Sequence, residues 1–260
     1  MTDKISTVYG PVDSWRLGRS LGVDLLCVSS VCSFRCVYCQ LGRINVRTAE
    51  RRVYVPTRRV MDDLSRAGWR GADCVTLSGS GEPTLAANLG EVICGVKELT
   101  GKPVAVLTNA AHLESAGVRR DLGGADVVFC KLDAADEESF GRINRPVEGV
   151  TLASVVAGIK LLRAEYGGRL AVQTMLSPLN ADGIEGLARL LAEIRPDEVH
   201  LCAPSRPVPR SWRVGARGDL QEGGARLRQL TPGRASRFAR EIAGLTGLRV
   251  FTRLPRTGGA

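Results

Sequence analysis

Three cysteines, Cys32, Cys36 and Cys39, stand at a C-x3-C-x2-C spacing in the run Cys32-Ser33-Phe34-Arg35-Cys36-Val37-Tyr38-Cys39. Thiolates held so close in sequence can fold round one small inorganic centre. Three ligands are one short of a closed tetrahedral zinc site or a fully ligated [4Fe–4S] cluster. The set therefore describes a zinc site completed from elsewhere, or a cluster with one iron left open for a ligand that is not protein. Arg35, inside the loop, either tunes that centre by its charge or faces solvent.

A second stretch with chemical content is Ser78-Gly79-Ser80-Gly81-Glu82-Pro83-Thr84-Leu85. Consecutive small residues let the backbone approach a ligand closely. Open carbonyls and the Glu82 carboxylate are acceptors suited to an ammonium group; the bland reading is a plain turn with Glu82 in solvent. Asn109, in Thr108-Asn109-Ala110, either meets a ligand or holds its own turn as an Asx cap. Lys131 and Asp133 suit a polar ligand or pair with each other. Gln173, Met175, His200 and Cys202 complete the polar and sulfur candidates, with Cys202 a possible redox or hydrogen-donor thiol.

The elements that must position these residues alternate. Residues 23–28 read as a short buried strand just before the cysteine loop, with a Gly-rich loop, Tyr9 to Gly22, ahead of it. Helices are predicted over residues 58–69, 88–99, 111–118, 151–166 and 181–194, and strands over 73–78, 103–107, 125–132, 169–175 and 198–202. Residues 140–146 read as a loop. Each chemical candidate falls at the C-terminal end of a strand, where parallel α/β barrels carry their chemistry. Six strands are too few for eight-stranded closure, so the expected fold is α/β, a partial, open (β/α)6 barrel. Residues 1–204 form that unit. Residues 205–260 are an Arg/Gly/Pro-rich C-terminal extension packed on it, with weak helical content at 234–243 and a last strand near 248–252.

The chain has 260 residues, 44% of them hydrophobic, and a net charge of +9. No run approaches 18 apolar residues, and the first residues lack the apolar core of a signal peptide, so a cytoplasmic location without membrane contact is expected. Eight cysteines there favour metal ligation over disulfides. Cys27, Cys74, Cys94 and Cys130 fall in apolar contexts and read as buried free thiols. The basic balance permits an RNA partner, but few aromatics are present for base stacking. No Ser-His-Asp or Cys-His arrangement, P-loop or Rossmann fingerprint occurs.

The cysteine spacing, with an aromatic just before the third cysteine, resembles the signature of the radical SAM superfamily. Ser80-Gly81-Glu82 resembles that family's Gly-Gly-Glu segment, with Ser80 in place of the first glycine. Together with Thr108-Asn109, Lys131-Leu132-Asp133, Asn144-Arg145-Pro146 and Arg206-Pro207, these motifs resemble small radical SAM proteins related to the tRNA-wyosine (4-demethylwyosine) synthases, over residues 9–207. The resemblance implies a barrel of the radical SAM type. It implies a [4Fe–4S] cluster on Cys32, Cys36 and Cys39, with S-adenosylmethionine (SAM) chelating the open iron. Tyr38 would pack on the adenine, and Ser80, Gly81 and Glu82 would take the SAM amino group. Asn109, Lys131 and Asp133 would contribute to the rest of SAM. The expected activity is reductive cleavage of SAM to a 5′-deoxyadenosyl radical that abstracts hydrogen from a substrate. That substrate is a tRNA nucleoside, a small molecule or a peptide. A small electron donor of ferredoxin or flavodoxin type is the implied partner. Wyosine synthases carry further upstream cysteines and a Schiff-base lysine; here only Cys27 and Lys4 precede the loop, which argues against wyosine synthesis itself. The alternative from another class is a non-catalytic zinc- or cluster-binding RNA protein using the arginines of residues 43–59 and 205–240.

Overall fold

The computed structural model describes residues 5–218 and 223–253; Lys4 and the Thr257-Gly258-Gly259-Ala260 tail lie outside the described residues. Strands β1 (Val8–Ser14) and β2 (Gly18–Val23) come first, then the two-residue strands β3 (Val31–Cys32) and β4 (Val46–Arg47). Next come α1 (Thr57–Arg66), β5 (Cys74–Leu77), α2 (Leu89–Thr100), β6 (Val104–Thr108), α3 (Ala116–Leu122) and β7 (Val127–Lys131). The chain continues through α4 (Glu137–Ile143), α5 (Leu152–Glu165), β8 (Arg169–Met175), α6 (Ile184–Ile194), β9 (Glu198–Cys202), α7 (Pro232–Thr246) and β10 (Val250–Arg253).

Eight strands form one sheet in the order β1-β2-β5-β6-β7-β8-β9-β10. The pairs from β2 to β10 are all parallel, and β1 joins β2 antiparallel. This is the expected α/β half-barrel, open because β1 and β10 are its two edges. Side-chain parity explains its two faces. On β7, Val128 and Cys130 join the large core beneath the helices, while Val127 and Phe129 belong to a separate inner cluster with Cys74, Ala105 and Ala171. One cavity touches Ser20, Thr76, Leu107, Phe129, Gln173, Cys202 and Arg253, residues spread from β2 to β10, so the sheet is curled round its inner face.

Several elements differ from expectation. The Tyr9 to Gly22 segment is a β-hairpin, not a loop. Its glycines serve close packing: Gly18 closes the turn at φ +67, and a Cβ on Gly22 would lie 2.1 Å from the Tyr9 ring. The first barrel strand is β2, which ends at Val23. Residues 24–29 turn instead, with Asp24 Oδ1 accepting from the Leu26 amide at 2.9 Å. Cys27 is buried in that turn and Cys94 is exposed on α2, so neither sits in the buried strand or helix context expected of it. Most of the segment 140–146 is the end of α4, capped where the Asp136 side chain accepts from the Ser139 amide. The short helix expected at 111–118 begins only at Ala116, because Ala111 to Ser115 turns first. The weak helix near 234–243 is the fifteen-residue α7, with Thr231 as its N-cap, Pro232 in its first turn and Gly247 at φ +68 beyond its end. It packs on α6 and delivers β10 to the edge of β9.

The hairpin turn folds back into the base of the barrel. Leu17 packs on the inner cluster, and the Trp15 ring lies 5.2 Å from that of His200. His200 in turn meets Phe129 at 5.4 Å and Phe251 at 5.2 Å. The concave face is thereby closed at the amino-terminal ends of the strands and open at their carboxyl ends.

Helix α7 is expected to be an integral part of the core. Phe238→Ala should lower stability by about 3–5 kcal/mol, whereas Leu245→Ala, on the exposed side of the same helix, should change it by less than about 1 kcal/mol. Urea midpoints at unchanged slope are the measurement; equal effects would place α7 outside the core.

Candidate functional site

The cysteine loop leaves the barrel at Val31 and is fixed there by backbone. The Val31 amide donates to the Ser80 carbonyl at 2.9 Å, and the Glu82 amide donates to the Val31 carbonyl at 3.0 Å. That parallel bridge needs glycine at position 81. At φ +154, a Cβ there would sit 1.6 Å from the Val31 carbonyl oxygen. Beyond Cys32 the loop is held from the other side. The Arg35 amide donates to the Asn144 carbonyl at 3.0 Å, the Val37 amide to Ile143 at 2.9 Å, and the Val147 amide to Ser33 at 2.8 Å. The end of α4 thus clamps the loop between Cys32 and Tyr38. The Arg35 side chain is exposed.

Glu82 is not in solvent; it is 2% exposed and borders the cavity. Its Oε1 accepts from the Thr84 amide at 3.0 Å, the Thr84 hydroxyl at 2.6 Å and the Thr108 hydroxyl at 2.6 Å. Its Oε2 accepts from the Asn109 amide at 2.6 Å. Burial raises the pKa of the carboxyl and these hydrogen bonds oppose the rise. Ser80 is likewise engaged, its hydroxyl donating to Asp24 Oδ2 at 2.7 Å. Asn109 holds its own turn, as one of its two expected roles requires. Its Oδ1 accepts from the Ala111 amide at 3.0 Å, and its Nδ2 points to Ser33 Oγ at 3.0 Å and Cys32 Sγ at 3.6 Å.

Asp133 is a second buried hub. Its Oδ1 accepts from the Met175 amide at 2.7 Å and lies 2.8 Å from the Lys131 ammonium; its Oδ2 accepts from Tyr38 Oη and from Asn144 Nδ2 at 2.8 Å. Lys131 stands 5.0 Å from the centre of the Tyr38 ring. The same Asn144 amide reaches Cys36 Sγ at 3.5 Å. Asn144 caps the end of α4, which packs on the loop, a tertiary fact with no local signal.

All three cysteine side chains are partly exposed on the wall of the main cavity, whose volume is about 390 Å3. Cys32, Cys36, Cys39, Tyr38, Gly81, Glu82, Asn109 and Lys131 border it together, as do Gln173, Met175 and Cys202. Ser80 and Asp133 support that wall from behind. His200 is not on it; it is buried at the barrel base, Nε2 2.8 Å from Glu198 Oε2. Arg16 reached the cavity unannounced, because a residue in a Gly-rich hairpin turn carries no periodicity that would aim it at a barrel interior.

Burial dominates the chemistry of the thiols. It pushes Cys36 up to about 12 with Asp133 as the second cause, and lifts Cys32 well above its usual value with Glu82 second. Such thiols keep their protons until a metal replaces them. The donor set is soft sulfur, and amide N–H groups point at two of the sulfurs, as iron–sulfur sites require. Among the described residues no group of three or more His, Cys, Asp or Glu side chains surrounds a single ion position. In a cluster each cysteine holds its own iron, so three thiols spread over one cavity wall fit that group.

A sequence profile described as the Radical SAM superfamily matches residues 26–191. The UPF0026 protein of Synechocystis sp. is 46% identical over 221 residues, covering 84% of this chain and 83% of that protein. The UPF0026 protein of Methanocaldococcus jannaschii is 33% identical over 215 residues, 80% of this chain and 66% of its own length. Among solved structures, SuiB of Streptococcus suis bound to S-adenosylmethionine superposes with a TM-score of 0.64 at 15% identity, over 90% of this chain and 51% of that one. TYW1 with a lysine–pyruvate adduct superposes at 0.61 and 17% identity, over 87% and 73%. At such identities the structures show the shared fold.

Two outcomes are expected from this geometry. Gly81→Ala should fail to seat the cysteine loop and lose several kcal/mol of stability. Gly149→Ala, also at positive φ but with open space around it, should cost about 1 kcal/mol. Comparable Tm losses would refute the close-packing account. Separately, burial, helped by the charge of Arg51, pulls His112 down to about 4. The unfolded chain then binds a proton near pH 6.5 that the folded chain refuses. Stability from this residue is complete above pH 6.5 and is lost as pH falls toward 4. His112→Gln should flatten the urea-midpoint profile between pH 7 and 5; an unchanged slope there would contradict the assignment.

Proposed function

The chain belongs to the radical SAM superfamily and is an enzyme of that superfamily, and from that premise we propose that Cys32, Cys36 and Cys39 hold its [4Fe–4S] cluster and that SAM occupies the adjoining cavity. The observation that carries the reading is the bridge between Val31 and Gly81. It brings the three-cysteine loop and the small-residue turn after β5 into one rigid wall. Three thiols leave one iron for a ligand that is not protein. Bound there, the cluster and SAM would supply one-electron reductive cleavage of SAM and hydrogen-atom abstraction from the substrate.

The chain's own residues have distinct tasks in this reading. Asn109 and Asn144 donate N–H bonds to Cys32 and Cys36, which stabilise the thiolate form and tune the centre. Because the Glu82 carboxylate is saturated by four protein donors, its task is to set the turn, and backbone around Gly81 meets the SAM amino group. Asp133 likewise orients Tyr38 and Lys131, which present an aromatic face and a cation to the cavity. Trp15, Arg16 and Leu17 line the base of the cavity. The partner is a small electron donor of ferredoxin or flavodoxin type. SuiB appears with a precursor peptide and TYW1 with a lysine–pyruvate adduct on the same fold, so the substrate must be read from the cavity of this chain.

Anaerobic reconstitution tests the proposal. Wild-type protein should take up about four irons with matching sulfide and, with SAM and dithionite, release 5′-deoxyadenosine. Cys32→Ala, Cys36→Ala and Cys39→Ala should each lose both properties, while exposed Cys94→Ala keeps them. An intact cluster that yields no 5′-deoxyadenosine under strong reductant would sink the reading.

A further inference from the structure

Among the described residues, five cations border the cavity, Arg16, Lys131, Arg206, Arg217 and Arg253, against two acids, Asp13 and the hydrogen-bonded Glu82. Three of the cations have protein partners. Lys131 lies 2.8 Å from Asp133, Arg217 pairs with Asp24 at 3.1 Å, and Arg206 bonds Gln40. Arg16 is different. Its Nη1 donates to Gln173 Oε1 at 2.5 Å, and its Cζ lies 4.9 Å from the centre of the Phe129 ring and 5.5 Å from that of Trp15. Its Nε is buried with no hydrogen-bond partner. Among the described residues it pairs with no carboxylate; burial lowers its pKa, the Cys202 thiol opposes this, and the charges of Arg206 and Arg253 add to it.

A guanidinium is always charged, and placing it in a half-dry barrel without a counter-ion is costly. Two aromatic faces and one amide recover part of that cost. A Met or Leu at this position would pack the same aromatics more favourably. An unneutralised cation at a cavity floor is therefore a receptor for an anion, and its fork geometry suits a carboxylate or a phosphate. Lys131, beside Tyr38, serves the cysteine end of the cavity. Arg16 serves the opposite end, on the floor made by the hairpin turn.

We propose that the substrate of this enzyme carries an oxyanion, a carboxylate or a phosphate, and that Arg16 binds it at the base of the barrel, buttressed by Gln173. The inference rests on the radical SAM reading of the cavity. Arg16 fixes the charged end of the substrate at the floor, so the reactive C–H is turned up toward the cysteine wall. Arg206 and Arg253 draw the anion in from the mouth.

The test uses the full-length reconstituted holoenzyme with SAM, titrated with inorganic phosphate and with acetate by calorimetry and thermal unfolding. Wild type should bind one of the two saturably, phosphate binding assigning a phosphate and acetate binding a carboxylate. Arg16→Gln and Arg16→Met should bind it at least about tenfold more weakly. Without added anion, Arg16→Met should melt no lower than wild type, because an unpaired buried charge has been removed. The proposal is overturned if wild type binds neither probe, if the variants bind as wild type does, or if Arg16→Met melts markedly lower, which marks a structural role. Loss of SAM binding in Arg16→Met would assign the residue to the SAM carboxylate and also overturn it. Failure of the underlying function is read separately, as absence of 5′-deoxyadenosine from wild type; Arg16-dependent anion binding would then stand without that chemistry.

Discussion

A buried carboxylate holds the top of this barrel together. Glu82 collects four hydrogen bonds from the loops that follow β5 and β6, and its backbone amide pairs with Val31 at the root of the cysteine loop. Desolvation makes an ionised carboxylate expensive there, and only a full set of donors offsets it. The arrangement is therefore all or nothing. Removing one donor leaves the charge under-solvated, and removing the carboxylate leaves Thr84, Thr108 and Asn109 with unmet donors. Such a junction fixes the relative positions of three strand ends, and the cavity inherits its rigidity.

Asp133 repeats the logic one strand pair further along. It ties Tyr38 of the cysteine loop to β8 through the Met175 amide and to α4 through Asn144. Burial raises Cys32 and Cys36, and the negative charge of Glu82 and of Asp133 adds to the rise.

The hairpin resolves two problems of an open barrel at once. β1 covers the edge of β2 that would otherwise be bare, and its turn fills the lumen where helices give no cover. At the far side, α7 carries β10 onto β9. The segment rich in arginine that leads there also contributes Arg206 and Arg217 to the cavity rim.

The sequence by itself determined the strand–helix alternation, the half-barrel and the family resemblance. Each is written in local signals: apolar period, turn formers, and three cysteines closely spaced in one loop. It placed Glu82, Asn109, Lys131 and Asp133 at strand ends because strand ends are visible locally. It misread the hairpin, since glycines chosen for close packing against Tyr9 look the same as glycines chosen for flexibility. It did not see that both carboxylates are buried with both oxygens hydrogen-bonded, because Thr108 and Asn109 lie 26 and 27 residues from Glu82 and Met175 lies 42 from Asp133. Only the tertiary structure decided which residues share the cavity. Asn144 reaches Cys36 through a helix end, His200 sinks to the base, and Arg16 arrives from the far edge of the sheet. Those placements depend on sheet curvature and on side-chain satisfaction summed over distant segments, and neither quantity is carried by any one stretch of chain.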